Sequence, residues 1–271
     1  MPETKPETGL RAVSWKLNRM MSSSHENPAI DFSHRAHLQE WMDEACSYED
    51  FRDCLRDLER VNRIILGYRP TLTWLEPFAH EQLDAPLRIL DVGCGGGDML
   101  RQIEAWARER EVPVDLTGID LNPHAARAAR EFSGSDSRIT WITADALAYQ
   151  PAEPVDLVIS SLFTHHLTDS GIVRFLQWME RTAMRGWFIN DLHRKPIPYY
   201  LFGILATAMR PHRFIRHDGL ISIRRSFDVD DWENYCVLAG FQLKDVNIYT
   251  VRPARLCVDR IKEQAKEPIK E

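Results

Sequence analysis

The chemistry of this chain is most legible between Leu87 and Leu100, in the run LRILDVGCGGGDML. The segment Ile89–Val92 carries Asp91 and gives way to Gly93, Gly95, Gly96 and Gly97, after which Asp98 opens the next segment. A strand that runs into a glycine turn and then a helix lets the backbone approach a bound nucleotide-like ligand. The charge of this copy narrows the choice. Asp91 and Asp98 lie between Ile89 and Leu100 with no Lys or Arg, and Asp98 stands where a dinucleotide fingerprint wants glycine. A pyrophosphate seeks the positive end of a helix and its free N–H groups, so a carboxylate there repels it. A ligand with an adenosine part, an ammonium and a sulfonium tolerates or welcomes the same acid. The loop therefore reads as a site for a cationic adenosyl cofactor. Asp98 also reads as the N-cap of the helix it opens, and Cys94 as a small filler whose N–H matters more than its thiol.

Two further acids stand at strand ends. Asp120 closes Gly118-Ile119-Asp120-Leu121, and Asp145 sits in Ala144-Asp145-Ala146. Each alone is a common turn residue; in this order and spacing behind the glycine loop they read as ligand groups. Three histidines fall on the same expected edge of a sheet: His165 and His166 in Phe163-Thr164-His165-His166-Leu167, and His193 in Asn190-Asp191-Leu192-His193-Arg194. An imidazole there suits a general base. Arg224-Arg225 reads most simply as a solvated pair.

The elements that must position these groups alternate. Strands are expected at Ile89–Val92, Leu116–Leu121, Ile139–Thr143, Val155–Leu162 and Gly186–Ile189. Helices are expected at about Asp98–Arg110, after Asn122-Pro123, and through Ile172, Val173, Phe175, Leu176 and Met179. Such alternation calls for a doubly wound, mostly parallel sheet. Upstream, Ser47 and Asp50 form a capping-box pattern ahead of Phe51, Leu55, Leu58, Val61 and Ile65; Gly67 breaks that helix and Pro70 restarts a shorter one. Downstream, the apolar run Tyr199–Ala208 leads into a basic stretch, read as turn-rich, that reaches Phe227. Asp228 then caps a helix ended by Gly240, and strands at about Phe241–Thr250 and Arg255–Arg260 close the chain as an antiparallel pair.

This arrangement resembles the class I S-adenosylmethionine-dependent methyltransferases over roughly Leu87 to Arg260. Leu90–Asp98, Asp120, Ala144-Asp145-Ala146 and Val155–Ser161 match that family's motifs, and the His-His-Leu segment is similar to the ending common among its small-molecule enzymes. The resemblance implies a Rossmann-like, doubly wound seven-stranded α/β sheet, mostly parallel with an antiparallel last strand, plus an N-terminal helical cap. It implies a cofactor site at Asp91, Gly93, Cys94, Gly95, Asp120, Leu121, Asp145, Ala146, Ser160 and Ser161. There Asp120 would accept from the ribose hydroxyls, Asp145 would meet the adenine amino group and Ala146 would lend its N–H. His165, His166 and His193 are the expected catalytic candidates. The expected organisation is a flexible N-terminus at 1–30, the cap at 31–84, the methyltransferase domain at 85–263 with a lid-like insertion at 193–227, and a flexible tail at 264–271.

Composition bounds the partners. The 271 residues carry 34 Lys plus Arg against 40 Asp plus Glu, a net charge of −6, with no basic block, so nucleic acid is not expected. Five cysteines without a C-x-x-C pair favour a reducing cytoplasm over disulfides or zinc, and no metal is expected. No stretch is long enough to span a membrane. Residues 8–25 hold Arg11, Lys16 and Arg19 with no acid, a faint transit-peptide pattern read instead as a loose terminus. The expected reaction moves the methyl group of S-adenosyl-L-methionine to a small, fairly apolar phenolic, enolic or polyketide-like hydroxyl, releasing S-adenosyl-L-homocysteine. Ser160-Ser161-Leu162-Phe163 stands where amide- and adenine-nitrogen enzymes often carry N-P-P-Y or D-P-P-Y. C-methylation of a quinol-type acceptor, a catalytically silent cofactor-binding regulator and a nucleotide-dependent oxidoreductase are the competing readings, and oligomeric state is left open.

Overall fold

A computed structural model of the chain describes residues 30–80 and 85–262. Among the described residues, those from Arg35 onward gather into one compact unit. The flexible termini expected at 1–30 and 264–271 fall, residue 30 apart, outside the described residues.

Seven strands form one sheet in the order β3-β2-β1-β4-β5-β7-β6. They are β1 (Leu87–Val92), β2 (Val114–Asp120), β3 (Thr140–Thr143), β4 (Val155–Ser161), β5 (Ala183–Leu192), β6 (Asn247–Val251) and β7 (Arg255–Ile261). The first five pair in parallel, and β7 runs antiparallel to both of its neighbours. Parallel strands need crossovers, and right-handed crossover helices cover both faces, so the central strands must be apolar on both sides. Every residue of β1 except Arg88 is buried, and β4 is similar. One face packs Leu75, Leu100, Ile103 and Trp106; the other packs Phe175, Trp187, Trp232 and Phe227.

Eight α-helices occur among the described residues: α1 (Tyr48–Ile64), α2 (Arg69–Ala79), α3 (Asp98–Glu109), α4 (Pro123–Phe132), α5 (Asp169–Thr182), α6 (Pro196–Met209), α7 (Arg213–Arg225) and α8 (Val229–Leu238). Their starts follow the sequence. The Ser47 hydroxyl accepts from the Asp50 N–H, Asn122 and Pro123 open α4, and Asp228 with Asp231 completes a capping box on α8.

Three expectations need correction. The basic stretch before Phe227 is a helix, α7, rather than a run of turns. The penultimate strand is shorter than Phe241–Thr250, because residues Leu243–Asp245 take a 3-10 turn first. Asp98 is not the cap of α3: Gly97, left-handed at φ 74°, holds that position. The Asp98 carboxylate instead accepts from the Tyr68 hydroxyl at 2.7 Å and from Asn62 Nδ2 at 3.2 Å.

Candidate active site

The carboxyl ends of the parallel strands open into a cavity of about 670 Å³. The turn after β1 forms its floor. Gly93 sits at φ +71°, where a Cβ would come within 2.5 Å of the Phe163 ring; at Gly97 it would come within 2.2 Å of Trp141. Only glycine meets both the left-handed backbone and the close approach. Of the residues expected to hold a cofactor, Asp91, Gly93, Cys94, Gly95, Asp120, Leu121 and Ser161 line this cavity. Asp145, Ala146 and Ser160 are not among its lining residues. Asp145 is exposed, with Oδ1 accepting the Leu147 N–H at 3.0 Å, and the buried Ser160 hydroxyl donates to the Val92 carbonyl at 2.9 Å.

Asp120 is aimed by its backbone surroundings. Oδ2 accepts from the Gly95 N–H at 2.9 Å and Oδ1 from the Asn122 N–H at 2.8 Å. Burial pushes its carboxyl up, and those two N–H groups partly oppose the rise. Each oxygen keeps a lone pair for another donor. Beside it Leu121 is 72% exposed at the cavity rim, an apolar surface without a cover.

Among the described residues, two buried groups on the cavity wall have polar atoms without a partner. Asp91 is 2% exposed and its Oδ1 accepts no hydrogen bond. Burial first, then the charges of Asp98 and Asp120, push its carboxyl well above the usual range. Arg255, at the start of β7, is also 2% exposed: Nη2 donates to Asn62 Oδ1 at 3.0 Å, while Nε and Nη1 have no acceptor. A Cβ on Gly67 would stand 2.5 Å from that Nη2, so the break after α1 also makes room for the guanidinium. Buried polar atoms without partners are costly, and here a carboxyl and a guanidinium that carry them line the same cavity.

The histidines divide. His165 and His166 line the cavity and His193 does not: its Nε2 lies 3.2 Å from Asp228 Oδ1. Each cavity histidine has a carboxylate behind it. His165 Nδ1 meets Asp191 Oδ1 at 2.7 Å, and His166 Nδ1 meets Asp43 Oδ1 at 2.8 Å. An ionised carboxylate only accepts, so Nδ1 carries the hydrogen and a neutral ring presents its Nε2 lone pair. Both Nε2 atoms face Glu40, 3.8 Å from Oε1 and 3.9 Å from Oε2 respectively.

The carboxylates behave differently. Burial alone would raise Asp191, but His165, the Thr164 hydroxyl and the Leu192 N–H outweigh it and hold the carboxyl well below the usual range. At Asp43 burial is likewise outweighed, by His166 and Arg225. Glu40 goes the other way: burial pushes its carboxyl up despite the opposing effects of His166, Arg225 and the Ser222 hydroxyl.

Long-range contacts hold this group together. The backbone N–H groups of Trp41 and Met42 each donate to Asp218 of α7 at 3.0 Å, pinning the turn that carries Glu40 and Asp43. Arg225 is not a solvated residue: it is buried, and donates to Asp43 Oδ2 at 2.6 Å and to the His165 carbonyl at 3.2 Å. Glu40, Asp43, Asp191, Arg225 and Arg255 carry no motif of their own. Asp191 alone had a local signal, as an acid at a strand end.

The chain is similar to known proteins in matching terms. A family model described as a methyltransferase domain covers residues 89–186. A ubiquinone biosynthesis O-methyltransferase of Pseudomonas entomophila is 32% identical over 61% of this chain and 69% of its own length. A trans-aconitate 2-methyltransferase of Streptomyces avermitilis is 33% identical, but over only 37% of each chain. Among solved structures, the plantazolicin methyltransferase BpumL in complex with SAH superposes with a TM-score of 0.58 at 16% identity, over 80% of this chain and 92% of that one. With the sheet order, the glycine turn and the strand-end acids, these similarities show that the chain belongs to the class I S-adenosylmethionine-dependent methyltransferases.

Proposed function

We propose that the enzyme methylates a hydroxyl oxygen of a small, fairly apolar acceptor of phenolic, enolic or polyketide-like type. The observation that carries this reading is the pair of cavity imidazoles, each backed by a carboxylate, beside the glycine turn. The O-methyltransferase relative points the same way.

The unpaired groups fit the cofactor. Asp91 suits the ammonium of its methionine part and Arg255 the carboxylate, Asp120 the ribose hydroxyls, and exposed Leu121 an adenine face. S-adenosylmethionine supplies an activated methyl group, so the protein chiefly aligns the partners and excludes water. Leu55, Leu58, Ile65, Phe202 and Ile215 give the rest of the cavity an apolar wall, and α6 and α7 place the last two there, as a lid-like insertion would. An acceptor hydroxyl lodged against Glu40, His165 and His166 loses its proton to an imidazole Nε2, and Asp191 or Asp43 stabilises the imidazolium formed.

Labelled S-adenosylmethionine offered with a panel of small phenols, enols and hydroxylated polyketides should give a labelled ether. Label found only in protein, in nucleic acid or at carbon overturns the reading. Asp120→Ala should weaken S-adenosylhomocysteine by about 1–3 kcal/mol in calorimetric titration, because it strips bound hydroxyls of a charged partner. An unchanged affinity would place the ribose elsewhere.

A further inference from the structure

We propose that Glu40, His165 and His166 form a site for one divalent first-row metal ion. One ligand atom from each of the three lies within 4.8 Å of the other two, on the cavity wall. Two imidazoles and one carboxylate suit Zn(II), Co(II), Fe(II) or Mn(II) and leave coordination positions open.

The distances fit a site that closes on its ion. Ligands of a tetrahedral ion with bonds of ~2.1 Å stand ~3.4 Å apart. The separations of 3.8 Å from His165 Nε2 to Oε1 and 3.9 Å from His166 Nε2 to Oε2, one to each oxygen of the Glu40 carboxylate, are too long for hydrogen bonds and within an ångström of that value. The outer contacts are those of a built site. Asp191 and Asp43 occupy the Nδ1 positions and so turn both lone pairs inward, the arrangement that orients and strengthens histidine ligands. Glu40 is 3% exposed, and Ser222 Oγ donates to its Oε1 at 3.0 Å, leaving Oε2 directed toward His166. Arg225 Nη1, 3.4 Å from Glu40 Oε1, is the charge such an ion has to tolerate; that guanidinium is already engaged by Asp43 and the His165 carbonyl.

Binding of the ion is independent of the reaction. Its role rests on the O-methylation reading: the acceptor hydroxyl completes the coordination sphere and ionises there, its proton passing to solvent rather than to an imidazole. Metal and proton compete for the same Nε2 atoms, so the centre serves in one mode or the other.

The test uses the full chain stripped with a chelator and titrated with Zn(II) by calorimetry and Co(II) by visible absorption. One equivalent should bind, with Co(II) bands of a low-coordinate nitrogen–oxygen site. His165→Ala, His166→Ala and Glu40→Ala should each weaken the ion at least tenfold while S-adenosylhomocysteine still binds. Should Glu40→Ala fail to bind S-adenosylhomocysteine, Glu40→Gln, which retains an acceptor for Ser222, replaces it. No bound ion, or an affinity unchanged in all the variants, overturns the site. A protein that takes one ion through these residues but methylates no hydroxyl keeps the site and overturns the acceptor reading. Hydroxyl methylation by a protein that binds no ion does the reverse.

Discussion

Asp91→Asn is expected to weaken S-adenosylhomocysteine by about 2–5 kcal/mol and at the same time to raise the thermal midpoint of the ligand-free protein. Both effects come from one unpaired atom. Asp91 is buried with no donor on Oδ1, and burial together with Asp98 and Asp120 lifts its carboxyl well above the usual range. A group whose pKa is higher folded than unfolded contributes stability that is complete below its unfolded value and lost as pH rises through the folded one. At neutral pH burial of this carboxyl is therefore a net cost, which the neutral amide removes; a gain of about 1–2 kcal/mol is expected. The difference between variant and parent should vanish as pH falls below about 4, where the unfolded carboxyl also takes its proton. Ligand binding reverses the balance, since an ammonium on Oδ1 favours the charged form. Affinity should accordingly rise with pH until the folded pKa is passed, with protons released on binding below it. Scanning calorimetry at pH 7 and pH 4, and titration in buffers of different ionisation enthalpy, measure these signs. A variant that binds as tightly as the parent would move the ammonium away from Asp91.

That trade explains which half of the site the sequence discloses. The cofactor half is built by local rules: each ligand lies within three residues of the carboxyl end of a parallel strand, so strand, turn and helix periodicity deliver Asp91, Gly95 and Asp120 to one edge. The acceptor half is assembled from far-apart segments. Glu40 and Asp43 precede α1, Asp191 is the penultimate residue of β5 and Arg225 ends α7, and no spacing links them. The helix α7 escaped notice for a related reason. Its buried face carries Asp218, Ser222 and Arg225 among Phe214, Ile215 and Ile223. Those polar residues are spent holding Glu40, its turn and His165, and so break the apolar stripe by which a helix is read. Functional demand on a buried face hides the element that supplies it. The misread Asp98 has the same origin: a carboxylate at the first position of a helix looks like a cap until Tyr68 and Asn62, from other segments, take it.

The acceptor half supplies the other large effect. His165→Ala combined with His166→Ala is expected to lower kcat by about 10²–10⁴-fold with a much smaller change in S-adenosylhomocysteine affinity, since the imidazoles hydrogen-bond Asp191 and Asp43 rather than the residues assigned to the cofactor. The singles should be unequal in their side effects. His165 is 3% exposed and its Nδ1, backbone N–H and carbonyl are all engaged, by Asp191, Arg225 and Arg35. Removing its ring takes one donor from a fully buried carboxylate that keeps the Thr164 hydroxyl and the His165 and Leu192 N–H groups, so His165→Ala should also cost about 1–3 kcal/mol of stability. The His166 side chain is 29% exposed and its partner Asp43 keeps Arg225, so His166→Ala should reduce turnover with little change in unfolding. Asp191→Asn separates positioning from packing. It preserves volume but removes the charge and turns one of the two accepting oxygens into an NH2 donor, which upsets the tautomer and orientation of the His165 ring, so it should lower kcat without a comparable rise in the acceptor's KM. Rapid-quench methyl transfer from bound, labelled cofactor, alongside denaturant unfolding of each variant, measures these effects separately. A double variant with near-parent turnover would remove the imidazoles from the chemistry and leave the acceptor's own acidity to provide the nucleophile.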